Sequence, residues 1–173
     1  MSIRVRRANP RDAKALVALA RAIGAEPEGW LITAGEWRTV GEERRHLRAV
    51  RGSPRAAVLV ADTDEGIVGR LSILRDDNPA CDHVADVGLM VAKGSRRQGV
   101  GSALLAAAEQ WAGSVGISKI ELHVFPHNEA ALALYRRAGY REVGLRRGHF
   151  RRAGRLIDAI LMEKGLGGAP RSA

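Results

Sequence analysis

Arg96-Arg97-Gln98-Gly99-Val100-Gly101-Ser102 lies between an apolar run, Val84 to Val91, and a helical pattern carried by Val100, Leu104, Leu105, Ala108 and Trp111. Two glycines let a backbone come close to a ligand, and the amides that open a helix have no carbonyl partner of their own. That is the layout of an anion cradle, and a pyrophosphate suits it best. Two other glycine-rich turns fail to account for it. Leu104 stands where a dinucleotide fingerprint needs Gly or Ala to let helix and strand close up, and no Gly-Lys-Ser/Thr ending is present to hold a terminal phosphate and magnesium.

Upstream of the cradle, Ile3 to Ala8 alternates as a strand. Asn9-Pro10-Arg11-Asp12 then supplies an N-cap, a proline for the first helical position and an acid for the first turn. Ala13, Leu16, Val17, Ala20 and Ile23 continue with helical spacing to Gly24. The stretch Ala25 to Ile32 has no period, and Thr33 with Glu36 reads as a capping box opening a second helix with Trp37, Val40, Leu47 and Val50 inward. Ala56 to Ala61 and Ile67 to Leu74 form a hairpin pattern, and His83 to Val91 is the strand that leads into the cradle.

Downstream, the helix runs to Trp111 and Lys119 to Val124 is a strand. Asn128 to Ala138 is a helix closed by Gly139, and the last two strands span roughly Tyr140 to Leu145 and Leu156 to Glu163. Residues 1–165 form one domain, and the Gly, Pro and Ser content of 166–173 predicts a disordered tail.

Composition narrows the class. A chain of 173 residues is long enough for one well-buried core. It shows neither a signal-type apolar segment nor a run of ~18 apolar residues, so the expectation is a cytoplasmic protein that does not enter membranes. Cys81 is the only cysteine, which excludes an internal disulfide and a cysteine-cluster metal site. The net charge of +9 is dispersed rather than gathered in one tract, and only Tyr140 and Phe150 interleave the densest arginine group, so nucleic acid is not the expected partner.

Arg96-x-x-Gly99-x-Gly101 resembles the acyl-CoA pyrophosphate loop of the GNAT superfamily of N-acetyltransferases, and the order of elements from about Ile3 to Lys164 is similar to that family's. Ala85 to Val91, Glu121 to Val124 with Asn128, and Ala131 to Tyr140 resemble its other motifs. The resemblance implies an α/β fold with a mixed, mostly antiparallel sheet of about seven strands, splayed between strands 4 and 5, and about four helices packed on both faces. It implies an acetyl-CoA-dependent N-acetyltransferase that needs no metal, acting on a primary amine of a small molecule or peptide by direct attack in a ternary complex, as a monomer or homodimer. Two other readings are a non-catalytic acyl-CoA sensor, which would lose the acid, and a basic nucleic-acid-binding module, which would need a continuous cationic face.

The same resemblance gives residues their roles. Arg96, Arg97, Gln98, Gly99, Val100, Gly101 and Ser102 would hold the pyrophosphate. Leu89, Met90 and Val91 would pair through their main chain with the pantetheine arm, in a gap marked by Gly88, whose presence in a strand suggests a bulge or a close backbone approach. The amide near Met90 would face the thioester carbonyl. Asn128 would bond the arm, and Ala131 shares its helix face with Tyr135. Tyr135 is the expected general acid, since a phenol of pKa about 10 can protonate a thiolate whose acid has pKa about 8.5; Tyr140 is the second choice. Asp86 is the expected base, with Glu121 and His123 on one face of the next strand as alternatives and His83 a remoter one. Glu26 and Glu28 could draw a cationic amine, and the arginines from Arg146 to Arg155 an acceptor's carboxylate.

Overall fold

Asn9 accepts the Arg11 amide at 2.8 Å and Asp12 returns the bond to the Asn9 amide, so the chain enters its first helix through a short 3-10 turn, Pro10–Asp12. The computed structural model describes residues 2–31, 37–152 and 154–167. The strands are β1 (Arg4–Arg7), β2 (Ala56–Thr63), β3 (Gly66–Arg75), β4 (Val84–Val91), β5 (Lys119–Val124), β6 (Arg141–Arg152) and β7 (Arg155–Gly165). The helices are α1 (Ala13–Gly24), α2 (Val40–Val50), α3 (Val100–Ser114) and α4 (Glu129–Arg137). The sheet has seven strands in the order β1-β2-β3-β4-β5-β7-β6, and β4 and β5 are its parallel pair.

The second helix starts later than the sequence predicts. Thr39 caps it, accepting the Glu42 amide while Glu42 bonds back to the Thr39 amide, and Trp37 therefore lies ahead of the helix rather than within it. Two Thr-x-x-Glu pairs lie close together in this stretch, and Thr39 with Glu42 directly precedes the helical run that buries Leu47. Thr33 and Glu36 lie outside the described residues, as do positions 168–173 of the tail; Leu166, at the head of that tail, donates its amide to Ser118 and packs on the core. The final hairpin is longer than its charges suggested. Arg146 to Arg155, read as a turn, extends β6 and β7 to a close at Arg152 and Arg155, with register breaks after Glu142 and Arg146.

α3 and α4 cover one face of the sheet, where Leu104, Leu105 and Ala108 pack with Leu71, Ile73, Ile120 and Leu122. α1 and α2 cover the other, with Leu16 and Leu47 on Val58 and Val60. Leu104 fits where a small helix residue was required because the strand supplies the small residue instead. A Cβ on Gly69 of β3 would stand 2.8 Å from Val100 and 2.9 Å from Leu104, so α3 closes onto the sheet over that glycine.

β4 and β5 pair only from Val84 to Asp86 against Lys119 to Glu121. Beyond Asp86, β4 stays with β3 and leaves β5, which opens the sheet into a cleft. The bulge suggested by Gly88 is not there, since Gly69 to Arg75 face Val91 to Ala85 in unbroken register. No other backbone comes close to Gly88 either; what a Cβ there would meet is the side chain of Ser72, its Oγ at 3.2 Å. Among the described residues no helix is long and apolar enough to cross a membrane.

Candidate active site

The cleft at the splay, about 1490 Å³, brings together the cradle, the free edge of β4, the start of α4 and the loop after α1. Arg97 (φ 61°) and Gly99 (φ 84°) both take left-handed backbone, and Gly99 caps α3. Alternating left- and right-handed residues turn successive amides inward to make a concave anion seat, here at the head of a helix. Gly99 is needed for that conformation. Gly101 serves packing as well as access, because a Cβ there would meet Leu134 Cδ2 of α4 at 2.7 Å.

Two of the cradle side chains, and Asn128 across the cleft, already have partners. Arg96 donates to both Glu26 oxygens, at 2.8 and 2.6 Å, and to the Val91 carbonyl at 3.1 Å. Gln98 donates to the Gly94 carbonyl at 2.8 Å, and Asn128 caps α4 by accepting the Ala131 amide at 3.1 Å. Hydrogen bonds from Arg96 hold the Glu26 carboxyl below the usual carboxylate range. Sequence reasoning missed this pair because its members stand 70 residues apart and were assigned separately, Arg96 to the pyrophosphate and Glu26 to a cationic amine.

The same loop is pinned at three further points. Trp30 stacks on His127 at 5.7 Å, His127 Nε2 meets the Glu28 carbonyl at 3.2 Å, and Arg152 from the last hairpin donates to the Gly29 carbonyl. The loop after α1, the turn between β5 and α4, and the β6–β7 hairpin thus close one end of the cleft together.

Tyr135 lines the cleft from the α3/α4 face and is 6 % exposed. Burial, with the Asp86 charge adding to it, pushes its phenol well up, so it stays protonated at working pH. Tyr140, the alternative acid, is buried beside Lys164 and does not line the cleft. Asp86 and Gly88 of β4 share the other sheet face with Met90, and the Asp86 carboxylate, 59 % exposed, lies 3.5 Å from His123 Nδ1. His123 is the alternative base that the cleft contains. Its Nε2 is buried with no partner among the described residues, and its ring stacks on His149 at 4.9 Å. Glu121 is held by Lys119 at 2.6 Å, and Lys119 also reaches Glu163 at 2.8 Å. His83 sits in the exposed turn before β4.

Leu89, Met90, Val91, Gly101, Ser102 and Ala131 all line the cleft. A long, flexible thiol ester with a diphosphate at its far end fits what is present: an anion seat, then a strand edge from Val87 onward without a β5 neighbour, then a buried phenol. Val100 is buried under the cradle and contributes only its backbone.

Known proteins share this fold. The acetyltransferase (GNAT) family model matches residues 22–140. The L-amino acid N-acetyltransferase AaaT of Escherichia coli (strain K12) is 31% identical over 166 residues, covering 92% of this chain and 96% of that protein. The crystal structure of an acetyltransferase of the GNAT family from Streptococcus pneumoniae superposes with a TM-score of 0.85 at 28% identity, over 96% of this chain and 100% of that one. A phosphinothricin acetyltransferase from Sinorhizobium meliloti, solved in complex with acetyl-CoA, shares the fold with a TM-score of 0.83 at 19% identity, over 96% of this chain and 90% of that one.

Proposed function

Because this chain belongs to the acetyltransferase (GNAT) family and is an acetyl-CoA-dependent N-acetyltransferase, we propose that it acetylates a primary amine of a small molecule or peptide by direct attack in a ternary complex. The observation that carries this is the departure of β4 from β5 after Asp86, with Tyr135 reaching the gap from one sheet face and His123 from the other, and with Asp86, outside the lining of the cleft, 3.5 Å behind His123 Nδ1. An acid and a base on opposite sides of one opening are what amine acylation requires.

Acetyl-CoA, when bound, supplies an activated acyl carbon and a thiolate leaving group. The amides opening α3, from Val100 to Ser102, and the Arg97 guanidinium hold the diphosphate, with Gln98 and Gly99 shaping the turn. Arg96 acts on this seat through Glu26 and Val91, fixing the loop beside it. Leu89 and Val91, which alternate away from β3, turn their main-chain groups to the open edge and the arm, the Met90 amide is taken up opposite Arg70 in the unbroken β3–β4 ladder, and Asn128 and Ala131 flank the opposite wall. An arriving ammonium must lose a proton, and the Asp86–His123 pair takes it. An imidazole is the side chain best suited to take a proton near neutral pH, and the carboxylate at its Nδ1 orients the ring. Tyr135 delivers a proton to the departing sulfur. Direct attack, without a covalent enzyme intermediate, is supported by Cys81 lying in the 3-10 turn before β4, away from the cleft.

The test pairs binding with turnover. Acetyl-CoA in hundredfold excess over its dissociation constant should add about 2.7 kcal/mol to stability and raise the melting temperature, while NAD should do much less. Thiol release should then appear with an amine from a panel of amino acids, polyamines and peptide N-termini. Equal stabilisation by NAD, or acetyl-CoA binding with no amine consumed, rules the proposal out.

A further inference from the structure

Arg70 of β3 sits in the ladder opposite Met90, on the sheet face that also carries Gly88 and Asp86, and only 4% of it is exposed. Its Nη2 is 3.5 Å from Glu43 of α2, a carboxylate with 0% exposure whose other oxygen is 3.2 Å from Arg38. Two guanidiniums therefore share one carboxylate, Arg38 from the half-exposed side and Arg70 from within, so Arg70 has only part of a partner. Trp37 stacks over the Arg70 guanidinium at 5.2 Å. Arg70 Nε and Trp37 Nε1 are both buried donors with no hydrogen-bond partner among the described residues, and both side chains line the acyl-transfer cleft.

Each of these features is costly as it stands. A buried donor without an acceptor is destabilising, and a buried charge is more so unless it is paired. Two such donors side by side, one of them on a guanidinium whose carboxylate is shared and 3.5 Å away, describe half of a recognition site whose missing half is anionic and planar. The local field has the matching sign: burial first, and then Arg38 and Arg70, pull the nearby His46 below its ordinary value despite Glu43. Glu43 cannot be the intended full partner of Arg70, since it is shared with Arg38 and stands at the outer limit of hydrogen bonding.

Resting on the acetyltransferase reading above, we infer that Arg70 and Trp37 form the subsite for a carboxylate carried by the acceptor close to its reacting amine, so that the acceptor class is free α-amino acids. The carboxylate accepts from the Arg70 guanidinium and the Trp37 indole, while Glu43 and Arg38 hold the guanidinium in place from behind. The amine then lies over the β4 face that carries Met90, Gly88 and Asp86. A simple amine or polyamine would leave both donors unpaired and place an ammonium beside a guanidinium. The arginine-rich last hairpin, named from sequence as a carboxylate site, is the less suitable candidate. Its Arg152 is bound to the Gly29 carbonyl, and most of its other arginines are exposed.

The experiment measures kcat/KM with acetyl-CoA for L-amino acids against their carboxamides and against the matching decarboxylated amines, such as L-leucine, L-leucinamide and 3-methylbutylamine. Sites built to bond a charged group reject the analogue lacking it strongly, so the acids should lead by at least about tenfold. Trp37→Phe keeps the ring over Arg70 and removes one donor, and it should raise KM for the acid more than for the amide, narrowing the preference. Arg70→Gln should abolish the preference; acetyl-CoA-dependent thermal stabilisation of each variant shows that it is folded. Equal use of acid and amide, or a preference that survives both substitutions, overturns the carboxylate subsite while leaving acetyl transfer standing. Turnover of no amine at all, despite acetyl-CoA binding, overturns the parent reading together with it.

Discussion

Arg96 holds Glu26 by two hydrogen bonds of 2.6 and 2.8 Å, so the guanidinium that opens the phosphate-binding turn is tied to the loop after α1. Arg96 is thereby a strut between the acceptor side and the cofactor side of one cleft, and its charge is largely balanced before any phosphate arrives. Glu26→Gln should leave CoA affinity unchanged or slightly improved, since it weakens the competitor for Arg96, and should raise KM for the acceptor as the loop loosens. Titration calorimetry with CoA beside acceptor kinetics checks both. A tenfold loss of CoA affinity in a folded variant would assign Glu26 to the cofactor site instead.

The same pair sets a pH dependence. The Glu26 carboxyl is held below its ordinary value in the folded state, chiefly by Arg96, so its contribution is present above the unfolded pKa of about 4.3 and is lost as pH falls through the lower folded value. Asp62 behaves alike through Arg4 and Arg6; Asp12 does so through Arg6 and the Asn9 amide, with burial working against them. Melting temperature should therefore hold level near neutrality and fall below about pH 4, and Asp12→Asn should flatten that acid limb. An unchanged acid limb in Asp12→Asn would mean that other carboxylates carry it.

Sequence reading recovered what depends on local rules. Asn9 and Pro10 open the first helix, Gly139 follows the last one with φ 90°, and Lys119–Val124 is a strand with the bounds its alternation gave. Reading went astray where two local signals compete or where tertiary contact decides. Thr33 and Thr39 offer rival capping boxes, and the choice between them depends on what α2 packs against. The charged stretch after Arg146 looks like a turn, yet it continues the hairpin because Gly148 takes φ 56° and donates its amide to Asp158 at 2.7 Å. Arg70 was invisible for another reason: an arginine in an otherwise apolar strand shows its burial, its shared carboxylate and its unpaired donor only once α2 lies across it.

Asp86 and His123, 3.5 Å apart on neighbouring strands, should act as one unit in taking the amine's proton. His123→Asn and Asp86→Asn should each lower kcat by about 100-fold or more, and the double variant should lose little beyond the worse single one, since groups that act together are not additive. If His123→Asn retains the wild-type kcat while Asp86→Asn loses it, the carboxylate works without the ring and His123 only packs against His149.

Gly101 separates packing from binding. Its missing Cβ is the space Leu134 Cδ2 occupies at 2.7 Å, so Gly101→Ala should cost about 1 to 3 kcal/mol through overpacking, and Leu134→Ala in the same chain should recover part of it. Gly101→Asp adds a carboxylate beside the α3 amides and should abolish stabilisation by CoA, in the Leu134→Ala background as well. A Gly101→Asp, Leu134→Ala chain that folds and still binds CoA with wild-type affinity would move the anion seat elsewhere.

Tyr135→Phe tests the acid. The phenol is 6 % exposed, its ring stands in edge contact with Tyr140 at 5.9 Å, and burial keeps it protonated. The substitution keeps the ring's packing, so stability and CoA affinity should change little. Loss of the proton donor leaves the thiolate to depart uncapped, and kcat at saturating substrates should fall about 100-fold. The fall should be smaller with an acyl donor whose thiol is more acidic, because such a leaving group needs the proton less; a purely structural role for Tyr135 would lower both donors alike. A kcat within twofold of wild type across pH would show that water reaches the sulfur and that Tyr135 serves only to wall the cleft.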